Sequence, residues 1–570
     1  MKEPLPPAPM PTFAPPSHGM WELETTHHGL RPLTPFLRDA YKRAFEEGSA
    51  VLVKRWGLPL SGVRAELVNG CFYVRPTGVG EGAKPMPTPP KFVMKLFARL
   101  HPEMRRRNRT AEQAWKERRW RTEVDRWFDH ERAGVIAKNL AFQAVDLSAL
   151  NDAELSGRVT ELLEHFVTQA RANLADHGGD LMPVGDLLAH CARWGIDGGE
   201  AASLLRGSSP ATTETAQLLR PVATALRQST STPSSIEAIR NLSAQAHAAV
   251  DSWLELHAWR LVTSDDVDGP TLAEVPALQL AALLAADHDT SDEPPSVAAV
   301  LRLRVPENER ATFDELVVEA RYGNRQREDI RGVRWNWPAG LLRRALLEAG
   351  RRLVTNGSLR NGRHVVELSP AELAGLLMAG PRAGSAPGPD ELAARAAERD
   401  RIEAMPPPRM LGDVEAPPPL DALPAPMARA TTAMMSTLVA DATAPDGEVL
   451  CGIGIGVETY CGRARIVTNV ADAFERLEPG DILVASFIGP SFNSIIPMVG
   501  AVVVEEGGPL CHAAIVAREF GLPALVGARG ATSAIVDGSQ VEIDCRAGTI
   551  RRIDRDTPAT RPSSIIKTGA

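Results

Sequence analysis

Eleven of the 46 residues from Pro381 to Pro426 are proline, including the runs Pro406-Pro407-Pro408 and Pro417-Pro418-Pro419. Proline has no backbone donor and a fixed φ, so neither a continuous helix nor a central strand can run through such a stretch. Only Glu391 to Ala404 (ELAARAAERDRIEA) breaks it with helical spacing. The composition predicts extended, polyproline-like chain with too little apolar content for a core of its own. The stretch is therefore either a passive linker or a tether that the flanking regions use, and those regions should fold separately.

The two flanks differ in character. On the N-terminal side, apolar residues recur at helical spacing from Asp39 to Trp56, Glu112 to Lys138, Asp152 to Asp176, Thr213 to Gln228 and Ser235 to His257. Leu155, Val159, Leu162, Leu163 and Phe166 make one clear stripe, and Pro221 should kink or split its helix. Asn69-Gly70 between ELV and CFYV predicts a hairpin. On the C-terminal side, short apolar runs end in Gly and Asp turns at 448–457, 462–467, 482–486, 501–504, 524–526, 539–543 and 549–553, with helices at 469–477 and 511–520. The expected organisation is multidomain α+β. A Pro-rich tail expected to be disordered (1–20) precedes a large, mainly helical domain (21–378) that has a few strands. A linker (379–430), a compact α/β domain (431–556) and a C-terminal tail (557–570) follow.

Composition excludes several function classes. The 63 Lys and Arg against 71 Asp and Glu leave a net charge of −8, the wrong sign for a general nucleic-acid binder. The basic run Arg105-Arg106-Arg107-Asn108-Arg109 lies in a stretch, residues 99–132, that holds 11 basic and 7 acidic side chains, so it reads as a solvated mixed-charge helix. Six cysteines without a C-x-x-C pair read as reduced thiols of a cytoplasmic protein. Seven prolines between Pro4 and Pro16 rule out an apolar secretion signal, and Gly489, Pro490 and Pro497 interrupt the longest apolar run. No membrane association and no metal-ligand cluster are expected.

The segment that carries chemistry is Gly507-Gly508-Pro509-Leu510-Cys511-His512-Ala513-Ala514-Ile515-Val516-Ala517-Arg518-Glu519-Phe520-Gly521-Leu522-Pro523. A strand runs into a Gly-Gly turn and then a short helix, which Gly521 and Pro523 end. His512 is thereby held at a helix N-terminus, where backbone N–H groups and the positive dipole end suit a phosphoryl group on an imidazole nitrogen. Histidine is also nucleophilic and partly neutral near pH 7.

This segment resembles the phosphohistidine signature of the PEP-utilising swivelling domains, which occur in pyruvate phosphate dikinase, PEP synthase and rifampin phosphotransferase. The likeness extends upstream through Leu450-Cys451-Gly452, Gly462-Arg463-Ala464 and Glu478-Pro479-Gly480-Asp481, and downstream through Asp537-Gly538, Val541 and Asp544. It implies that His512 is phosphorylated and dephosphorylated in each turnover, through a covalent phosphohistidine. Gly507, Gly508, Cys511, Ala513, Arg518 and Glu519 then bind the phosphate or position the histidine. Leu510-Cys511 stands where many relatives have Thr-Ser or Ser, so the threonine that some dikinases use for regulation is absent. Cys511 itself is either a redox-sensitive neighbour or a small buried residue. The loop Phe487 to Phe492 lacks the Thr/Asp-x-Pro pattern common in relatives.

The larger domain resembles the acceptor-binding domain of rifampin phosphotransferase and related small-molecule dikinases. The likeness rests on Trp21-Glu22 with His27-His28 and Arg31-Pro32, on Asn69-Gly70 with Tyr73, on Pro270-Thr271-Leu272 with Glu274 and Pro276, on Arg327-Glu328-Asp329-Ile330-Arg331, and on Gly350-Arg351-Arg352-Leu353. Arg327 and Arg331 are four apart on a predicted helix. They either clamp the transferring phosphoryl group or belong to a solvated face paired with Glu328 and Asp329. His27 and His28 are either the acceptor's base or packing residues, and Trp115, Trp120 and Trp127 either line a pocket or build a core. Full-length relatives begin with an ATP-grasp domain, and no Walker loop is present here. The resemblance to phenylphosphate synthase, whose histidine-bearing subunit is separate, implies a hetero-oligomer in which an ATP-grasp partner holds ATP and Mg²⁺. The expected acceptor is a small, phenol-like hydroxyl compound, with AMP and phosphate released. The alternatives are a phosphocarrier or regulatory small-molecule-binding protein, and a PEP synthase-like component.

Overall fold

A computed structural model describes residues 11–24, 31–81, 90–262, 266–287, 297–380, 386–405, 407–413, 419–438, 449–456, 458–468, 470–489, 492 and 495–553. The chain divides into two units. The larger draws on Met1–Gly195, Gly207–Asp289 and Ala298–Leu438, the smaller on Ile196–Arg206, Thr290–Val297 and Val439–Ala570. A large, mainly helical unit and a smaller α/β unit make up the class the sequence predicts. The boundaries between them are different ones.

In the larger unit, the Asp152–Asp176 helix opens on a capping box formed by Asn151 and Glu154, which satisfies two of its otherwise unpaired N-terminal donors. Its buried stripe of Leu155, Val159, Leu162 and Phe166 continues through Ala170 and Leu174. The stripe shares a core with Tyr41 and Phe45 of the Arg38–Arg55 helix and with Trp335, Trp337 and Leu342. Tyr41 stands edge-on to Phe72 at 4.9 Å and to Trp335 at 5.2 Å between ring centroids. Such ring pairs contribute about 0.5–1.5 kcal/mol beyond the area they bury. The predicted hairpin is present and longer than the sequence suggested. The strands β1 (Trp21–Leu23), β2 (Leu60–Val68), β3 (Cys71–Gly78) and β4 (Met410–Leu411) form one sheet in the order β2-β3-β1-β4, with Asn69 and Gly70 at φ 52° and 80° in the turn.

Three expectations are corrected here. The single helix predicted over Glu112 to Lys138 is broken at Arg118 (φ 50°) and then continues as Arg119–Asp125, a π-helical turn Arg126–Glu131 and Arg132–Gln143. Tertiary pairing accounts for the break: Arg118, Trp120 and Arg121 all bind Glu319. The N-terminal tail expected to be disordered at 1–20 is anchored at Phe13, which packs against the cluster of Trp21, Tyr73 and Leu411, while 1–10 and 554–570 lie outside the described residues. The proline-rich stretch expected as a linker over 379–430 is folded into the larger unit wherever it is described. Its Pro389–Glu403 helix buries Leu392, Ala396 and Ile402, and Arg399 binds Asp268 and Glu367 at 2.7 and 2.8 Å. Tyr73 donates to the Pro408 carbonyl at 2.6 Å. The next helix, Ala425–Leu438, is held by Arg429 on Asp186 at 2.6 Å. Proline sits at the first turn of both helices and not inside them, the place where its missing donor costs nothing.

The smaller unit is an eight-stranded sheet built from β5 (Val449–Cys451), β6 (Ile453–Ile455), β7 (Thr459–Ile466), β8 (Ile482–Ala485), β9 (Ala501–Val504), β10 (Ala524–Val526), β11 (Gln540–Asp544) and β12 (Thr549–Arg552). Their order is β5-β12-β11-β7-β8-β9-β10-β6. Strands β7 to β10 are parallel neighbours, and the outer pairs are antiparallel. β8 and β9 are buried along their whole length, as fits parallel strands covered on both faces. The short Gly198–Ser203 helix, which the sequence places in the helical domain, belongs to this unit. Gly199 lies so close to the Gly454 carbonyl that a Cβ would collide with it. Among the described residues, no helix is long and apolar enough to cross a membrane, and no disulfide joins the six cysteines.

Candidate functional site

The loop after β9 leaves the C-terminal end of a parallel strand, the edge at which open α/β sheets place their ligands. Glu505 fixes its start: one carboxylate oxygen accepts from the Thr532 N–H and hydroxyl at 2.8 and 2.7 Å, and the other from the Ser486 hydroxyl at 2.8 Å. Gly507 then turns the chain at φ 107°. A Cβ there would stand 2.5 Å from the Cys511 Cβ and 2.6 Å from its Sγ, so only glycine fits. At Gly508 a Cβ would meet nothing within 4 Å, so no steric demand explains the second glycine.

Cys511 is the N-cap of the His512–Phe520 helix, with φ −70° and ψ 163°, and its Sγ accepts from the Ala514 N–H at 3.5 Å. The thiol therefore does the work that a serine or threonine hydroxyl does at most N-caps. His512 is the first helical residue and half-buried, whereas Ala513 to Glu519 are buried beneath it. Arg518 donates to the Pro509 carbonyl at 3.2 Å, bracing the loop from below. Gly521 ends the helix at φ 66°. The result is an accessible imidazole on a rigid helix start, with the positive end of the helix beside it.

In the larger unit, Arg327 donates to Asp180 at 2.7 Å, and Asp180 is fully buried. Asp329 does not pair Arg327 across a solvated face. It is buried and accepts from the Trp127 indole at 2.7 Å and from Arg132 at 2.8 Å. The indoles of Trp120 and Trp127 are core residues with satisfied N–H groups. Arg331 is half-buried on the same five-residue helix, Arg327–Arg331. His27 and His28 lie outside the described residues.

The structure also gathers residues that the sequence reading missed. Asp176, the last residue of its helix, receives Arg55 and Arg126 on one oxygen at 2.7 Å each and Arg334 on the other at 2.6 Å. Glu131 pairs with Arg334 as well. Arg126 and Glu131 come from one π-helical turn, and Arg334 from a second, Gly332–Asn336. Extra-wide turns of this kind occur often at functional sites. Burial raises the Asp176 pKa, but Arg334, Arg126 and Arg55 outweigh it and hold the carboxyl below its ordinary value. Next to it, burial pushes Glu123 up to about 7, with Arg55 opposing and Asp176 adding to the rise. Asp176, Glu131, Arg55, Arg126 and Arg334 border a cleft of about 910 Å³, within the size range of small-molecule sites. The periodic pattern offered no signal for them, because they converge on Asp176 from elements 50, 121 and 158 residues away. Among the described residues, no group of three or more His, Cys, Asp or Glu side chains is placed to hold a metal ion.

Comparison with known proteins finds a match over the stretch that contains His512. Residues 477–548 match the family described as PEP-utilising enzyme, mobile domain. A rifampicin phosphotransferase of Streptomyces sviceus is 42% identical over 106 residues, which is 19% of this chain and 12% of the relative. A phosphoenolpyruvate synthase of Aeropyrum pernix is 39% identical over 107 residues, 19% of this chain and 13% of the relative. An uncharacterised protein of Mycobacterium tuberculosis is 31% identical over 247 residues, 42% of this chain and 24% of the relative. The chain thus spans at most about a quarter of the length of these relatives.

Proposed function

For a chain that carries the mobile domain of the PEP-utilising enzymes over residues 477–548, we propose a phosphotransferase in which His512 receives a phosphoryl group derived from ATP and passes it to a hydroxyl of a small acceptor. The observation that carries this reading is the half-buried imidazole of His512 at the start of a buried, capped helix, directly after the fully buried strand β9. ATP and Mg²⁺ are held by a separate ATP-grasp subunit, as the resemblance to phenylphosphate synthase implies.

The imidazole nitrogen attacks phosphorus, forming the N–P bond as AMP leaves with the bond electrons. Water then releases phosphate and leaves a single phosphoryl group on His512. The acceptor oxygen takes that group, its proton departs, and the N–P bond breaks to regenerate neutral imidazole. Transfer of this kind needs in-line positioning and spread positive charge more than covalent help. Arg327, already oriented by the buried Asp180, supplies such charge at the acceptor side, and the acceptor is phenol-like by resemblance.

The test incubates the full chain with ATP and a candidate ATP-grasp partner and looks for acid-labile, base-stable phosphate. Label on His512, lost in His512→Ala together with at least a thousandfold of product formation, is the expected result. Full product formation by His512→Ala sinks the reading. Arg327→Ala should keep the label and lose transfer to the acceptor, whereas loss of both or of neither removes Arg327 from that role.

A further inference from the structure

We propose that the cleft beside Asp176 binds the acceptor through an anionic group, so that the acceptor is a hydroxyl compound carrying a carboxylate or phosphate. This rests on the phosphotransferase reading above for the word acceptor, but the binding claim stands on the cleft alone.

The charge of the wall is lopsided. Arg55, Arg126 and Arg334 share Asp176 and Glu131 as their lining acids. Lys138 lines the same cleft and, among the described residues, has no carboxylate partner; its ammonium lies 5.9 Å from the centre of the Phe142 ring. With Arg171, which pairs with Glu47 on the same wall, five cations thus meet three acids. Glu123, buried behind Arg55 and titrating at about 7, offsets only part of the difference near neutral pH. Arg334 is 4% exposed and held by Asp176 and Glu131 together, while the exposed Lys138 keeps its charge available to a further anion. Guanidinium groups held apart by shared carboxylates are also pre-organised to fork onto a planar oxyanion.

The rest of the wall suits a small carbon skeleton. Ala172, Ala175 and Val135 offer apolar surface, and Gly134 leaves space in which a Cβ would meet nothing within 4 Å. An acceptor with an anionic end and a compact apolar body fits both halves of the lining. A neutral phenol would leave the cation excess uncompensated.

Titration calorimetry of the full chain with 4-hydroxybenzoate and with phenol, at one low ionic strength, tests this. The pair differs by one carboxylate. The hydroxybenzoate should bind at least tenfold more tightly than phenol, and Lys138→Gln should reduce that advantage about threefold or more. Gly134→Phe, which fills the cleft from an unobstructed position, should abolish binding, while Gly134→Ala retains it and serves as the folding control. Absence of hydroxybenzoate binding, equal binding of the two probes, or binding unchanged in Gly134→Phe overturns the proposal. His512 labelling in the same variants separates the two claims. A labelled chain without the calorimetric difference loses only the anionic acceptor, and an unlabelled chain with that difference keeps the binding site and loses phosphoryl transfer.

Discussion

A thiol at the helix cap makes the loop around His512 open to improvement at one position and closed at another. Cys511 accepts from the Ala514 N–H through sulfur at 3.5 Å, a weaker acceptor than a hydroxyl. Cys511→Ser should therefore hold or raise stability, by roughly 0.5–1 kcal/mol in urea unfolding, and keep His512 labelling. Gly507→Ala should cost about 1–3 kcal/mol and impair labelling, because φ 107° is strained for any L-residue and the added methyl meets Cys511. A stabilised Gly507→Ala, or a Cys511→Ser that loses the label, contradicts this description of the loop. Glu123 gives a separate test. Its folded pKa is raised to about 7 by burial, so the unfolded chain releases this proton first as pH rises. The stability it lends is full below about pH 4.5 and is lost by about pH 7. Relative to the parent, Glu123→Gln should gain about 2–3 kcal/mol between pH 4.5 and pH 8 in chemical denaturation. A pH-independent difference between variant and parent speaks against the buried carboxyl.

At the scale of elements, local pattern and remote pairing divide the result between them. The Asp152–Asp176 helix was legible end to end, because a capping residue, an acidic first turn and a stripe at helical spacing agree. The strand–turn–helix around His512 was legible for a similar reason: a buried apolar run, a glycine turn and a Gly-x-Pro stop coincide. The break at Arg118 and the two π-helical turns were not. They depend on Glu319, Asp329 and Asp176, which come from elements distant in sequence and carry no periodic trace. The Arg327–Arg331 helix shows both sides. Its position was readable, yet Arg327 pairs with the remote Asp180, and Asp329 with the remote Trp127 and Arg132. An i,i+4 pattern fixes which side chains share a face, not what that face meets.

For the whole molecule, the proline-rich region is the instructive case. Composition marks it as a linker, but its described parts contribute Leu392, Ile402 and Leu411 to buried clusters and β4 to the sheet edge. Proline here starts helices and flanks an edge strand, positions where it is compatible with a folded core. A chain ending at residue 438 should therefore melt in one cooperative transition by circular dichroism. One ending at residue 380 should lose on the order of 5 kcal/mol from those three side chains alone, enough to unfold a typical domain. Equal melting of the two truncations would return the region to a passive role.

The smaller unit holds a second long-range dependence, between Gly199 and the Gly454 carbonyl. Synthesis delivers these two positions about 13–50 s apart, at about 5–20 residues per second over the intervening sequence. The Gly198–Ser203 helix leaves the ribosome long before any strand of its sheet exists. The order of translation therefore gives this stretch a waiting period in which Gly199 has no Gly454 carbonyl to pack against. Ribosome pausing and chaperone supply between these two positions become determinants of yield, independent of the stability of the finished fold.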